Sequence, residues 1–504
     1  MAKYEDLQLF ELIKSLTQGE KRSFKQIANY TSKTKKKYVY LFEQIDAQTK
    51  YDELKLQKKL LAKKIKTPLP VLKNYVQELL LKALRFYHAD NSIDNLLRNY
   101  LHDSELLHNK GLDKSRDKVL RRAKTLAKTH EKKEMLLDIL NKEWQYKSIF
   151  NPKKIEQDHE IALDDLSKLL NVRTLVYNVS TLLGKGEIRD DTLQKEWDDA
   201  IQGPSMVNIL PHSGYEENCH YHHNWMRYYH RTNDFEKCCM HQELLIKHME
   251  SRQDLLVDYK MLYIFELNGL VVAYCQKSDF DKAKAVIDKL IRLEKIGLNI
   301  PEKTTLIDTI SIAYGNLIHG YYLFDFDSVV QTAIDAEKFL KTKNATPHHA
   351  AFLYLNLAKT SIYTGQYRNA LVWTNLIFDD SPENRRDDFY VLAWIFNLII
   401  HYELDHIDLL PSLIRSTTRF LQKRKRLYKT ESAIMAFLNN KLPKTNSKKE
   451  VLLFFNELKI ELEEIIKDPY EAKAFKYFDF IAWLQSKIEN KSVIAIISSK
   501  SHKN

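Results

Sequence analysis

The chain has 504 residues, 44% of them hydrophobic, with 28 Tyr and 22 Phe; this excludes a disordered polymer and is too long for one ordinary globule. Gly and Pro number only 11 each, too few for a sheet-rich fold or a glycine-loop nucleotide fold, so long helices on short links are expected. The net charge of +11 is uneven: residues 1–90 hold 19 Lys and Arg against 10 Asp and Glu, which suits an acidic partner or a solvated helix surface.

In chain order, Leu7, Phe10, Ile13 and Leu16 recur at helical spacing. Thr17 followed by Glu20 has the form of a capping box that opens a second helix. "TPLP" at Thr67–Pro70 breaks the pattern, because proline disfavours helix at the residue before it. The helix that follows is expected to bury Val71, Tyr75, Leu79 and Leu80. Lys33, Lys35, Lys36 and Lys37 stand beside Tyr38 and Tyr40, which would combine phosphate contact with base stacking. Residues 1–90 therefore form a basic N-terminal helical domain.

Residues 91–211 remain helical, as degenerate hairpins. "LLGKGEIRDD" at Leu182–Asp191 has two glycines around a lysine but lacks the GxxxxGK[ST] form of a phosphate loop, so Gly184 reads as a helix end. Gln202–Gly214 is the longest irregular stretch and leads into a third region, 212–440. There an aromatic or apolar anchor recurs at Phe235, Phe280, Phe326, Tyr367 and Ile407, with offsets of 45, 46, 41 and 40 residues. Three residues after each anchor comes Cys238, Ala283, Val329, Ala370 or Leu410, small or apolar residues that let the second helix of a hairpin pack against the first. Such a period predicts an all-α fold, a right-handed superhelix of stacked antiparallel helical hairpins. In residues 441–504 the aromatic stripe of Phe475, Phe478 and Trp483 is expected to be the packed face of a terminal cap, with a docking face as the alternative.

The hairpins resemble tetratricopeptide repeats over about Tyr215–Arg424. The closest copy has Tyr354, Leu357 and Ala358 on its first helix, Gly365 and Tyr367 at the turn, Ala370 on the second helix and Pro382 at the exit. It departs from the repeat at Ser361, Thr374 and Ile377, and the interval exceeds the usual 34 residues. The whole chain also resembles a family of Bacteroidota helical-repeat proteins through "LTQGEKRSFK", "YLFEQIDAQTKYDE", "LKNYVQELLLKAL" and "FKYFDFIAWLQSKI". Neither likeness implies a substrate, a cofactor or a catalytic residue.

In a tetratricopeptide repeat the inner face of the first helix lines a concave groove. Counting back from the anchors, that resemblance places His220, His223, Arg227, His230 and Arg231 on this face, then Phe265, Asn268 and Gln276, then Tyr314, Tyr321 and Tyr322, then Lys359 and Tyr363. Cationic and aromatic groups together would suit an acidic peptide or another anionic ligand. The histidines would make such binding pH-sensitive. The same segment invites a zinc reading through Cys219, His223, Cys238 and Cys239, but adjacent Cys238 and Cys239 point in different directions on a helix and no CxxC pair exists. No metal and no cofactor are expected.

Acidic pairs such as Asp190 and Asp191 read as helix starts, and no nucleophile, zincin or nucleotide motif is present. An enzyme is not expected. Four cysteines suit a reducing compartment, and no apolar run approaches the ~18 residues of a membrane span, so the cytoplasm is the expected location. The expectation is a non-catalytic scaffold or adaptor that binds a protein or peptide in its groove. The alternatives are a nucleic-acid- or ribosome-associated factor using residues 1–90, and a peptide-responsive regulator.

Overall fold

Thr17 and Glu20 form the expected reciprocal cap: the Thr17 amide donates to Glu20 Oε2 at 2.7 Å, and the Glu20 amide donates to Thr17 Oγ1 at 3.3 Å. Such a cap contributes about 1 kcal/mol, and here it opens the second of a long series of helices. The structure, a computed structural model, describes residues 4–30, 36–90, 92–146, 152–203, 206, 214–295, 313, 315–316, 318, 320, 323, 325–343, 347–378, 387–441 and 447–501. Among the described residues every regular element is helical. The chain divides into two units, Met1–Leu166 and Ser167–Asn504.

In the first unit α1 (Tyr4–Lys14), α2 (Gln18–Tyr30), α3 (Lys36–Asp46), α4 (Glu53–Ala62) and α5 (Leu69–Tyr87) enclose one core built on Ile13, Phe24, Phe42, Leu56, Leu72, Val76 and Leu80. Pro68 and Pro70 bracket the start of α5, as the "TPLP" break requires. Of the expected face of α5, Leu80 is buried and Leu79 packs on the core, while the first half lies one residue further along. Leu72, Val76, Leu80 and Ala83 are buried, whereas Val71 and Tyr75 are 43% and 50% exposed. The physical reason is that α5 meets α2 and α3, and the aliphatic row fits that contact while Tyr75 stacks outward on Tyr38 at 5.6 Å. Next come α6 (Ile93–Asn109), α7 (Asp113–Thr129) and α8 (Lys133–Gln145), packed as successive neighbours around Leu97, Leu120, Ala123 and Ile139.

α9 (Pro152–Gly184) ends at Gly184, and Asp190 then caps α10 (Asp191–Gln202) by accepting from the Leu193 amide at 2.8 Å. The second unit goes on through α11 (Tyr215–Thr232), α12 (Phe235–Glu250), a short α13 (Gln253–Leu256), α14 (Lys260–Gln276), α15 (Phe280–Lys295), α16 (Phe326–Lys343), α17 (Pro347–Tyr363), α18 (Tyr367–Phe378) and α19 (Asp387–Glu403). It finishes with α20 (Leu410–Lys423), α21 (Lys429–Ala436), α22 (Lys448–Ile465), α23 (Ala472–Phe475), α24 (Phe480–Glu489) and α25 (Val493–Ser501).

The sequence period reappears as backbone. Phe235, Phe280, Phe326 and Tyr367 are the first residues of α12, α15, α16 and α18, and Ile407 opens a 3-10 turn before α20. Cys238, Ala283, Val329, Ala370 and Leu410 are all buried. Two residues before four of the anchors stands a left-handed residue: Asn233 at φ 62°, Ser278 at 59°, Gly365 at 72° and Asp405 at 59°. In each turn the following amide bonds to a carbonyl five residues back, as from Asp234 to Tyr229 at 2.9 Å and from Asp279 to Tyr274 at 2.9 Å. This closes the preceding helix and reverses the chain in a fixed geometry. α11 with α12, α14 with α15 and α17 with α18 are paired neighbours.

Candidate functional site

The first helices of consecutive hairpins in the second unit are linked through side chains. Arg173 on α9 pairs with Glu216 on α11 at 2.8 Å, and Tyr259 donates its hydroxyl to the same carboxylate at 2.6 Å. His220 Nε2 lies 3.7 Å from that carboxylate. Burial alone would raise the Glu216 pKa; the donors His220, Arg173 and Tyr259 outweigh it and hold the carboxyl well below its usual range. Further along α11, Arg227 Nη1 reaches Ser180 Oγ on α9 at 3.4 Å, and its guanidinium lies 6.0 Å from the Phe265 ring on α14. Tyr177 is 73% exposed, Phe265 51% and Met261 44%. An apolar, aromatic and cationic face thus runs across α9, α11 and α14.

Of the residues expected in a groove, this face holds Arg227 and Phe265, which are in contact, and His220, which lies beside Glu216. His223 and Arg231 are interior, which corrects their expected role as groove lining. His223 is 2% exposed and donates from Nδ1 to Glu266, and Arg231 is 1% exposed and donates from Nη1 to Glu187. The reason is tertiary: Glu266 on α14 and Glu187 after α9 stand against these two positions and supply the carboxylates that a buried cationic or polar side chain needs. Burial, with Arg227 nearby, pushes the His223 pKa down despite Glu266. Asn268 is also buried, donating to the Ile264 carbonyl at 3.1 Å. His230 sits at the end of α11 against the Phe235 ring, 6.1 Å away.

Lys359 and Tyr363 belong elsewhere. The Tyr363 hydroxyl accepts from the Asp479 amide at 3.0 Å and its ring packs 5.1 Å from Phe478, so it fastens the C-terminal segment. Desolvation pulls the Lys359 ammonium down to about 7. Tyr314 and Tyr321 lie outside the described residues, as do Lys33, Lys35 and the side chain of Lys36. Lys37 donates to Thr67 Oγ1 at 3.1 Å and lies over the Tyr38 ring. The four cysteines are buried free thiols; burial pushes Cys239 up to about 11 and Cys275 up to about 12. Among the described residues no group of His, Cys, Asp and Glu is arranged to hold a metal ion, and no helix is long and apolar enough to cross a membrane.

A second site escapes sequence reasoning. Residues 185–189, α19, the stretch 426–434 and α23 meet around a small cavity of about 50 Å³. Arg189 donates to Glu431 at 3.0 Å and to Glu471 at 2.6 Å, and its guanidinium stacks on the Tyr428 ring at 4.3 Å. Glu471 in turn accepts from the Lys429 and Thr430 amides at the start of α21, at 2.9 and 3.2 Å. Nearby, Tyr477 and Arg231 both donate to Glu187, and Lys473 donates to the Arg231 carbonyl at 3.1 Å. A signal was present in the stretch "GEIRDD", dense in charge yet placed between two helices, but its partners lie more than 240 residues away.

In the first unit, Lys118, Arg121 and Arg122 on α7 border an open groove floored by Leu96, Tyr100 and Leu126. Comparison with known proteins finds no matching family model, no matching curated protein and no matching solved structure.

Proposed function

We propose that the chain is a non-catalytic cytoplasmic scaffold or adaptor whose hairpins stack as a tetratricopeptide-like solenoid and hold a protein or peptide across the first helices. One observation carries the reading: Arg227 of α11 reaches both neighbouring first helices, at Ser180 Oγ of α9 and at the Phe265 ring of α14, and Phe265 and Tyr177, one turn from Ser180, are exposed. Exposed aromatics beside a guanidinium are the residue types that anchor protein interfaces. With Arg173 and Arg227 present, the matching segment is acidic and carries an apolar or aromatic residue.

The test is affinity capture on the immobilised full chain, followed by direct binding of each enriched partner. Arg227→Glu combined with Phe265→Ala is expected to weaken a genuine groove partner at least about tenfold, the loss of one central anchor. Partners captured equally by wild type and variant would overturn the reading.

A second reading has its own support. Lys118, Arg121 and Arg122 are exposed on one stretch of α7 beside Tyr100, so a nucleic-acid contact in the first unit would centre there rather than on Lys37. Single-stranded RNA should then bind with a steep loss of affinity between about 50 and 200 mM salt. Salt-insensitive binding, or none, removes this reading.

A further inference from the structure

The cations of α7 stand in two different settings. Some are neutralised: Arg116 pairs with Asp117 at 2.8 Å, and Lys124 pairs with Glu143 at 2.8 Å and with Asp158 at 2.7 Å. Lys118, Arg121 and Arg122 are exposed, and none of them has a carboxylate within ion-pair distance among the described residues. Arg121 Nε donates to the Asp117 carbonyl at 3.3 Å. Positions 118, 121, 122 and 125 share one helix face, and from Lys118 to Leu126 the stripe runs for about 12 Å, roughly two turns. Leu96 and Tyr100, one turn apart on α6, join Leu126 as a half-buried floor. The groove so formed is open, with a volume of about 630 Å³, and no carboxylate lines it among the described residues.

Charge and floor together select the occupant. A phosphate chain would meet the cations but leave Leu96 and Leu126 in water, and Tyr100 is the only ring lining the groove, among the described residues, on which a base could stack. An amphipathic helix whose apolar stripe is flanked by Asp and Glu covers the floor and meets the cations at once. Two of the three cations are arginines, whose planar fork matches a carboxylate. We propose that the groove between α6 and α7 docks an acidic amphipathic helix of a partner protein, its apolar side chains on Leu96, Tyr100 and Leu126 and its carboxylates on Lys118, Arg121 and Arg122. The groove is built from α6 and α7 alone and owes nothing to the first-helix face around Arg227.

The probe is a fluorescein-labelled synthetic helix of about 14 residues, long enough to span the stripe. It carries leucines at i, i+3, i+4 and i+7 spacing with glutamates on both flanks, and it is titrated with the full chain and read by fluorescence anisotropy. A scrambled peptide of the same composition and an oligouridylate are the comparison arms. The striped peptide should bind saturably with a Kd of about 10 μM, and the scrambled one at least about tenfold more weakly. Lys118→Glu combined with Arg122→Glu should weaken the striped peptide at least about tenfold and, both side chains being exposed, leave the urea unfolding midpoint unchanged. Arg227→Glu combined with Phe265→Ala should bind the striped peptide as the wild type does. The proposal is overturned if the striped peptide does not bind saturably, or if the scrambled peptide binds as tightly. It is equally overturned if the Arg227 and Phe265 changes abolish binding while the Lys118 and Arg122 changes do not, which would place the peptide on the first-helix face. Oligouridylate that binds more tightly than the striped peptide, and is lost with the Lys118 and Arg122 changes, would make the groove a nucleic-acid site instead.

Discussion

Replacing Arg189 by Met is expected to destabilise the second unit by about 3–5 kcal/mol, the cost of leaving a buried charge without its partner. Arg189 is the only cation bonded to both Glu431 and Glu471 among the described residues, and all three side chains are at most 8% exposed. Met keeps the length and apolar stem of Arg while removing the charge, so the loss reports on the stranded carboxylates rather than on a cavity. The pH dependence separates this cause from general damage. Burial would raise the Glu471 pKa, but the Arg189 charge and the donors Thr430 and Lys429 outweigh it and hold the carboxyl below 4.5. A depressed carboxyl contributes stability that is complete above 4.5 and lost as pH falls through the lowered value. In Arg189→Met the largest lowering cause is gone, and only the Thr430 and Lys429 donors still oppose the burial that favours the protonated acid. The gap between wild type and variant, measured by urea unfolding, should therefore be widest near neutrality and narrow on acidification. A gap that stays constant with pH would show that Arg189 acts through packing. Glu431→Gln combined with Arg189→Met should cost less than the sum of the two single changes.

The helical period was legible because it rests on local chemistry. An anchor at Phe235, Phe280 or Tyr367 and a small partner three residues later both follow from two helices turning back on one another, so the spacing exposes the hairpin without any tertiary knowledge. The turn chemistry was only half legible. Gly365 announces its left-handed backbone, but Asn233, Ser278 and Asp405 adopt the same conformation. The scarcity of glycine is thus compatible with many reversals of the chain, because the bond from the following amide holds a non-glycine residue there.

Faces were read less well than periods. On α5 the apolar residues outnumber the positions that can be buried, so spacing alone admits both Val71–Tyr75 and Leu72–Val76, and only the contact with α2 and α3 decides. The same ambiguity put His223 and Arg231 on an open face. Their carboxylate partners, Glu266 and Glu187, lie about 43 and 44 residues away along the chain, on elements whose adjacency is a tertiary fact. The Arg189 cluster is the extreme instance, since no periodicity connects residues 189, 431 and 471. Charge in "GEIRDD" marks the segment as polar but does not say that it is buried.

Replacing Trp483 by Ala is expected to cost about 3–5 kcal/mol, as for other fully buried aromatic side chains. Trp483 is 0% exposed, its ring 5.9 Å from Phe455 and 6.5 Å from Tyr402, so the stripe read as a cap packs inward at this position, and Phe478 does the same at 1%. Packing is one part of the effect. Trp483 Nε1 donates to Glu403 at the end of α19 at 2.7 Å, Lys487 donates to the same carboxylate, and the Lys487 ammonium lies 5.8 Å from the ring of Tyr367, the anchor of α18. The indole therefore joins the C-terminal helices to α19 through one carboxylate that is itself nearly buried. Trp483→Phe keeps an aromatic ring and removes the donor, so it isolates the bond, for which about 1.5–3 kcal/mol is expected because the acceptor is charged. Guanidinium unfolding of both variants orders the contributions. If Phe is tolerated without loss while Ala is not, ring volume alone holds the cap. If Phe costs about half of what Ala does, Glu403 is the latch that fixes the terminal helices onto α19, and Glu403→Leu, which removes the acceptor and leaves the indole in place, should then cost at least as much as Phe.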